Sequence, residues 1–307
     1  MTKDLIVLGA AVYDITARLK AETVNECDSN PSSIYSSCGG VGRNIVENAA
    51  RLGLSAGLIT VLGHDDFSKA LRASCENVGT DLSRCFTQDD FKPCTYINII
   101  EKNGELLMAA SDLTSVEAIP PEFFISQMEY VNTHRLVCLD ANLTSSQLAA
   151  IAENCTSKIM GDTVSIAKVP RFLPILERLY AIKTNIAELG ALAQTRVSNR
   201  DEVVSAAKTL ISQGVQLVFV TLGADGAICV GADFCEYAPA IKTPVTSVTG
   251  VGDAFSAGVA YGILRELPPV EILKFSTAMS FITLQSAGAV SEDVTEGMVL
   301  QVVESQN

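Results

Sequence analysis

The sequence predicts an α/β protein with a mostly parallel central sheet flanked by helices on both faces. Two observations carry this. Short apolar runs recur between stretches of helical spacing, the alternation of a parallel sheet buried on both sides. Several of the helical stretches also stop at a glycine, as helix C-termini commonly do. A third observation adds a smaller element: one segment, around Asn103-Gly104, reads as an antiparallel hairpin inserted into the alternating chain.

Taken in order, residues 5–10 form the first buried strand. Residues 44–52 repeat at helical spacing (Ile45, Asn48, Ala49, Leu52) and end at Gly53. Residues 58–62 are a strand, and 67–78 a helix closed by Gly79. Residues 135–139, 158–160, 179–182 and 215–221 are further buried strands, with helices at 145–153, 186–194 and 201–213. Helices at 252–264 and 270–285, separated by Pro268-Pro269, close the chain. The hairpin runs are 95–100 and 106–110, and stretches 12–19 and 34–37 can add strands to the same small sheet. Residues 12–37 with about 92–112 therefore read as a discontinuous β lid on one domain spanning 1–307; a mere edge hairpin is the plainer alternative.

Composition excludes several classes. The 307 residues hold 22 Lys+Arg against 35 Asp+Glu, a net charge of −13, so no basic patch is available to displace counterions from a polymeric nucleic acid. Hydrophobic residues make up 48% and charged residues 19%, outside the range of disordered chains. Mean hydropathy is +0.29, yet the longest apolar run, 215–222, contains Gln216 and falls far short of the roughly 18 residues of a membrane span. Asp4 and Asp14 bracket the first apolar run, so no secretory leader is expected. The nine cysteines are odd in number and lack a C-x-x-C pair, which fits reduced thiols in a cytoplasmic protein, and two histidines are too few for a His-rich metal site.

Chemistry concentrates at three places. Thr249-Gly250-Val251-Gly252-Asp253 leads into an apolar helix. Its glycines let the backbone turn tightly and aim N–H groups outward at the positive end of the helix dipole, a nest suited to a phosphoryl group. Asp253 in that first turn can accept a hydroxyl proton, although a capping Asp at an ordinary helix start has the same local sequence. Gly39-Gly40-Val41-Gly42-Arg43-Asn44 also opens a helix. It follows a polar stretch rather than a core strand, so it is not a dinucleotide fingerprint. Its backbone amides and Asn44 can reach sugar hydroxyls, as can Asp14 at the carboxyl end of the first strand; a polar loop and a turn Asp are the plainer readings. Asn185 and Glu188 share one face of a first helical turn and can hold the water shell of Mg²⁺. Thr221, Gly223 and Gly226 follow the most hydrophobic strand, where a hydroxyl and backbone amides can meet nucleotide phosphates.

The joint order of Asp14, GGVGRN at 39–44, NIAE at 185–188, TLGADG at 221–226 and TGVGDAFSAG at 249–258 resembles the PfkB family of sugar and nucleoside kinases, which has the ribokinase-like fold. The likeness runs through nearly the whole chain. Asp28-Ser29-Asn30-Pro31, Ser111-Asp112 and Asp162 to Ser165 with Lys168 look like the family's pseudouridine kinases. The resemblance implies transfer of the ATP γ-phosphoryl group to a primary hydroxyl, here the 5′-hydroxyl of pseudouridine. Asp253 is then the general base, with Gly250, Val251 and Gly252 as the anion hole. Asp14, Gly39, Gly40 and Asn44 bind the ribose-like hydroxyls, and Asn30, Ser111, Asp112 and Lys168 are candidates for reading the uracil. Lys168 reads equally as a solvated helix charge. Asn185, Thr221, Gly223 and Gly226 serve ATP, and Glu188 with Asn185 serves Mg²⁺ through water. Where family members often carry Asp in a potassium-associated loop, this chain has Ser247, leaving only backbone carbonyls for K⁺.

The resemblance also implies a small-molecule substrate and a lid that excludes water; the lid's edge strands favour a homodimer joined through it. Alternatives from the same family are kinases of ribose, a ketohexose, or an N-nucleoside such as inosine or adenosine. From another class, a catalytically inactive sugar- or nucleoside-binding protein is disfavoured by the intact base and glycine motifs. A nicotinamide-dependent dehydrogenase is disfavoured because Gly9-Ala10-Ala11 lacks the glycine spacing that should follow strand one.

Overall fold

A computed structural model describes residues 3–25, 27–88 and 91–306; Glu26, inside the expected 12–37 stretch, lies outside the described residues. The chain opens on β1 (Lys3–Leu8), runs out through β2 (Val12–Leu19) and β3 (Ser32–Gly39), and returns by α1 (Val41–Arg51) to β4 (Ala56–Ile59). After α2 (Asp66–Glu76), a second excursion makes β5 (Cys94–Ile100) and β6 (Leu106–Asp112). Helices α3 (Thr114–Glu117) and α4 (Pro121–Val131) lead to β7 (His134–Asp140), α5 (Ser145–Asn154) and β8 (Lys158–Asp162). Then come β9 (Ala181–Asn185), α6 (Ile186–Leu192), α7 (Arg200–Ser212), β10 (Leu217–Thr221), β11 (Ala227–Val230) and β12 (Cys235–Ala238). Helices α8 (Val251–Leu264), α9 (Pro269–Leu284) and α10 (Glu296–Glu304) finish the fold.

Among the described residues, eight strands form one sheet in the order β12-β11-β10-β9-β8-β7-β1-β4. Every pairing from β10 to β4 is parallel, and β10-β11-β12 is an antiparallel edge. Side chains alternate across it. Leu5 and Val7 of β1 enter the core beneath α1, α8 and α9, while Ile6 and Leu8 enter the opposite core beneath α4, α5 and α7. Burial on both faces explains why these strands read as unbroken apolar runs. Helix α8 is buried on all sides from residue 254 to 264, which fits its nearly uniform apolar sequence.

Four more strands form a second sheet, ordered β3-β2-β5-β6. The β2/β5 pair is parallel and the outer pairs are antiparallel, with Asp14 opposite both Ser37 and Tyr96. β6 is exposed along its whole length and β3 along most of its own.

The structure departs from the expected elements in places. A third helix, α10, follows the two expected at the C-terminus, and β11 and β12 add an edge hairpin of four-residue strands too short to show a period. Residues Val169–Arg178 form a 3-10 segment; Pro174 inside it removes an amide donor that an α-helix would use and its ring crowds the preceding turn. Among the described residues, no helix is long and apolar enough to cross a membrane.

Candidate active site

The polar residues of the central sheet gather at the carboxyl ends of its parallel strands, where open α/β sheets bind ligands. Asp140 ends β7, Asp162 ends β8, Lys183 lies two residues before the end of β9, and Thr221 ends β10. Helix α8 starts against this edge. Gly250 is its N-cap at φ 77°, and a Cβ there would sit 1.9 Å from the Ala289 carbonyl oxygen, so only glycine fits. No side chain caps the helix. Its first N–H groups, from Val251, Gly252 and Asp253, thus stand at the positive dipole end, where an anion can be bound.

Asp253 occupies that first turn. Asn44 Nδ2 donates to Asp253 Oδ2 at 2.6 Å, joining the loop ahead of α1 to the start of α8 across 209 residues of sequence. Burial first, then the neighbouring Asp162 carboxylate, push the Asp253 carboxyl up to about 7, against the lowering effects of Asn44 and Lys183. Its proton affinity is thus matched to accepting a proton near neutral pH.

Lys183 was not singled out by its sequence. It is 7% exposed, and its Nζ lies 3.3 Å from Asp162 Oδ2 and 2.9 Å from where a Cβ on Gly252 would sit. Burial lowers its pKa, but Asp162, Asp253 and Glu188 together raise it above the ordinary value, so it stays an ammonium at the helix end. Asp162 is further held by the Ser256 hydroxyl at 2.6 Å and the Val164 amide at 2.9 Å.

Asp14 lies in β2 of the second sheet, six residues past the end of β1 and not at its carboxyl end. The Asp14 carboxylate lies over β3, where a Cβ on Gly39 would meet its Oδ2 at 2.0 Å. Burial raises Asp14 to about 6, while the Arg43 guanidinium lowers it. Gly40, at φ 94°, caps α1. Behind it, Asp140 is fully buried and accepts the Ala10 and Asn142 amides at 2.9 and 2.8 Å; burial raises it to about 6. Lys168 Nζ donates to Asn142 Oδ1, and burial lowers its pKa despite nearby Asp140. Lys168 is therefore part of a half-buried network and not a freely solvated helix charge.

On the other side of α8, Thr221, Gly223, Gly226, Val251 and Gly252 line one cavity of about 160 Å³ with Phe255, Thr277 and Phe281. Asn185 and Glu188 form a reciprocal capping box at the start of α6: Asn185 Oδ1 accepts the Glu188 amide at 2.9 Å, and Glu188 Oε2 accepts the Asn185 amide at 3.0 Å. Glu188 Oε2 also accepts the Thr163 hydroxyl at 2.6 Å, and among the described residues no hydrogen bond reaches Oε1. One carboxylate oxygen left to water fits a divalent ion that keeps its hydration shell, and no cluster of three or more His, Cys, Asp or Glu able to cage a metal exists among the described residues. Ser247 Oγ accepts the Thr249 amide and brings no charge, so no carboxylate is offered to K⁺ there.

Three expected residues stay outside this constellation. Asn30 spends its amide inside its own loop, on Asn25 and Asp28. Asp112 Oδ1 accepts the Thr114 amide and hydroxyl, and Ser111 is exposed on edge strand β6. Asp140, Asn142, Lys183 and the buried Arg43–Glu47 pair were missed. A polar residue directly following each of several apolar runs was the signal for Asp140 and Lys183.

Solved structures share this architecture. A carbohydrate kinase from Agrobacterium tumefaciens superposes with a TM-score of 0.87 at 26% identity, covering 98% of this chain and 97% of that one. An Arabidopsis thaliana ribokinase solved with ribose and ATP gives 0.87 at 20% identity, covering 99% of each. The fold is ribokinase-like, and the family match and kinase relatives make the protein a phosphotransferase that acts on a hydroxyl group. Among curated relatives, the pseudouridine kinase of Escherichia coli (strain K12) is 28% identical over 304 residues, 98% of this chain and 96% of its own. The ribokinase of Haemophilus influenzae is 24% identical over 312, 99% of each. The profile of the pfkB family of carbohydrate kinases matches residues 2–296, and the chain belongs to that family.

Proposed function

We propose that this enzyme transfers the γ-phosphoryl group of ATP to the 5′-hydroxyl of pseudouridine, giving pseudouridine 5′-phosphate. The observation that carries the reading is the Asn44–Asp253 hydrogen bond beside an uncapped helix N-terminus. It joins a sugar-binding loop to a base and an anion hole. The identity to the Escherichia coli pseudouridine kinase over 98% of this chain supports the acceptor.

Asp14, the backbone of Gly39 and Gly40, and Asn44 hold the ribose hydroxyls. The Asp253 oxygen not engaged by Asn44 takes the proton of the attacking hydroxyl. Charge gathering on the transferred phosphoryl oxygens is met by the Gly250–Gly252 turn and by the Lys183 ammonium. Thr221, Gly223 and Gly226 line the nucleotide side. Glu188, with Asn185, holds the hydration shell of Mg²⁺, which supplies charge neutralisation to the phosphates when bound. No step is derived through K⁺. Lys168, presented by Asn142, is the leading group for reading the uracil, with Ser111 and Asp112 joining it only if the second sheet closes as a lid that excludes water. All nine cysteines are free, in keeping with a cytoplasmic setting.

An ATP-consumption assay against pseudouridine, uridine, ribose, fructose and adenosine in parallel tests this. Pseudouridine is expected to give the highest kcat/KM. Preference for ribose or uridine assigns another acceptor within the family, and no turnover of any of them sinks the kinase reading. Replacing Asp14 by Asn should raise the acceptor KM about 10–100-fold with kcat little changed, the signature of lost ground-state binding. An unchanged KM removes Asp14 from the sugar site.

We also propose a homodimer through the second sheet. Ile34, Leu106 and Met108 are 73%, 61% and 64% exposed on its strands, and β6 leaves an edge unpaired. Light scattering at micromolar protein should give twice 32.5 kDa; a monomeric mass excludes it.

A further inference from the structure

Helix α1 carries charged residues where an apolar stripe is expected. Arg43 and Glu47 are 5% and 4% exposed and form an ion pair one turn apart, and Arg51 Nε and NH2 bind the same Glu47 carboxylate at 3.0 and 2.9 Å. Buried pairs of this kind are costly to desolvate and contribute little stability of their own. Arg43 Nε has no hydrogen-bond partner, so the guanidinium is not oriented for its own satisfaction. Its NH1 instead donates to the Cys38 carbonyl and, at 2.9 Å, to Asn44 Oδ1.

That last contact has a chemical consequence. The two ends of an Asn amide have nearly the same shape, so position alone does not decide which end faces a neighbour. Here a guanidinium donor meets the carbonyl end. A flipped amide would set its NH2 against the guanidinium and its oxygen against the Asp253 carboxylate, opposing two donors at one end and two acceptors at the other. We propose that Arg43, braced by Glu47, is a positioning residue that locks the Asn44 amide so that its NH2 is held on Asp253. The unit Glu47–Arg43–Asn44–Asp253 thereby ties the sugar-binding loop to the catalytic carboxylate. This rests on Asp253 being the general base.

The titration of Asp253 reads the lock without any substrate. The groups facing Asp253 are Asn44, Asp162, Asp140, Lys183 and the buried Cys138 thiol. Those facing Arg43 are Glu47, Arg51, Asp14, Cys38 and Cys75. Losing the Asn44 donor removes an interaction that favours the carboxylate, so the Asp253 midpoint should rise, by about one pH unit for a hydrogen bond to a charged group. A carboxyl-carbon NMR titration of the apo protein, with the Asp253 signal assigned from the Asp253→Asn spectrum, is run on four proteins. These are the wild type, Asn44→Ala, the paired Arg43→Met/Glu47→Gln variant, which removes both charges of the ion pair together, and the triple variant. The pair is expected to reproduce the rise of Asn44→Ala, and the triple variant to add nothing. Where the pair fails to fold, Arg43→Met alone, in which Arg51 still pairs Glu47, takes its place with the same expected direction. In turnover, kcat should fall about 10–100-fold with the KM for ATP within about twofold. An Asp253 midpoint unmoved in the folded Arg43 variant, or shifts that add in the triple, overturns the proposal. A wild type that phosphorylates no acceptor overturns the functional reading instead, while the titration still decides the orientation.

Discussion

Asp253→Asn is expected to lower kcat by about 10²–10⁴ while nucleotide affinity stays nearly unchanged. The amide keeps the shape of the first turn of α8 and its contact with Asn44, but it cannot take a proton from the acceptor hydroxyl. The wild type should show kcat/KM rising with pH through about 7, because Asp253 must lose its proton before it can act as a base. In the variant that limb should vanish. Near-normal turnover, or the same limb in the variant, removes Asp253 from the role. The substitution has a second consequence, of opposite sign for stability. A carboxyl held at about 7 in the folded protein and near 4 in the unfolded chain costs stability as pH rises through that window, since the unfolded state gives up its proton first. Asp253→Asn should therefore be the more heat-stable protein at pH 8, by on the order of a few kcal/mol, with the gap narrowing towards pH 4. Thermal unfolding at several pH values reads this directly.

Lys183→Met should cost both stability and turnover. The ammonium is 7% exposed and balances Asp162, with Asp253 and Glu188 close enough to raise its proton affinity. Removing one member of a buried ion pair leaves uncompensated charge, at about 3–5 kcal/mol. Removing a cation from the path of the transferred phosphoryl group should further lower kcat by about 10²–10³ in whatever fraction remains folded. Pairing Lys183→Met with Asp162→Asn separates the two effects, because the double variant should regain stability without regaining rate. A Lys183→Met protein with wild-type stability and turnover within a few-fold would show that the ammonium is peripheral.

Much of the scaffold was legible because a parallel sheet buried on both faces leaves an unmistakable mark. β1, β7 and β10 were readable as apolar runs, and α1 and α2 end close to Gly53 and Gly79, which take positive φ as helix-terminating glycines do. The 3-10 segment Val169–Arg178 and the β11–β12 edge were not readable. The first has a proline, Pro174, inside it and packs against α5 and α6, and the second is too short for periodicity. In the site, the glycine motifs were readable because positive φ and close backbone approach restrict the residue type. Lys183 and Asp140 look locally like ordinary polar residues that follow apolar runs. Asn30 looked available for a ligand, but loop closure consumes its amide.

By itself the sequence determined the parallel α/β scaffold with most of its strands and helices, though not α4, α10 or the β11–β12 edge, and that a glycine-rich turn bearing a carboxylate opens the helix at 251. Those properties depend on near neighbours, periodicity and backbone sterics. Only the tertiary structure decided that Asn44 meets Asp253 across 209 residues, and that Lys183 stands under Gly252 among three carboxylates. Proton affinity and amide orientation depend on burial and on charges brought close by packing, and no local pattern encodes those distances.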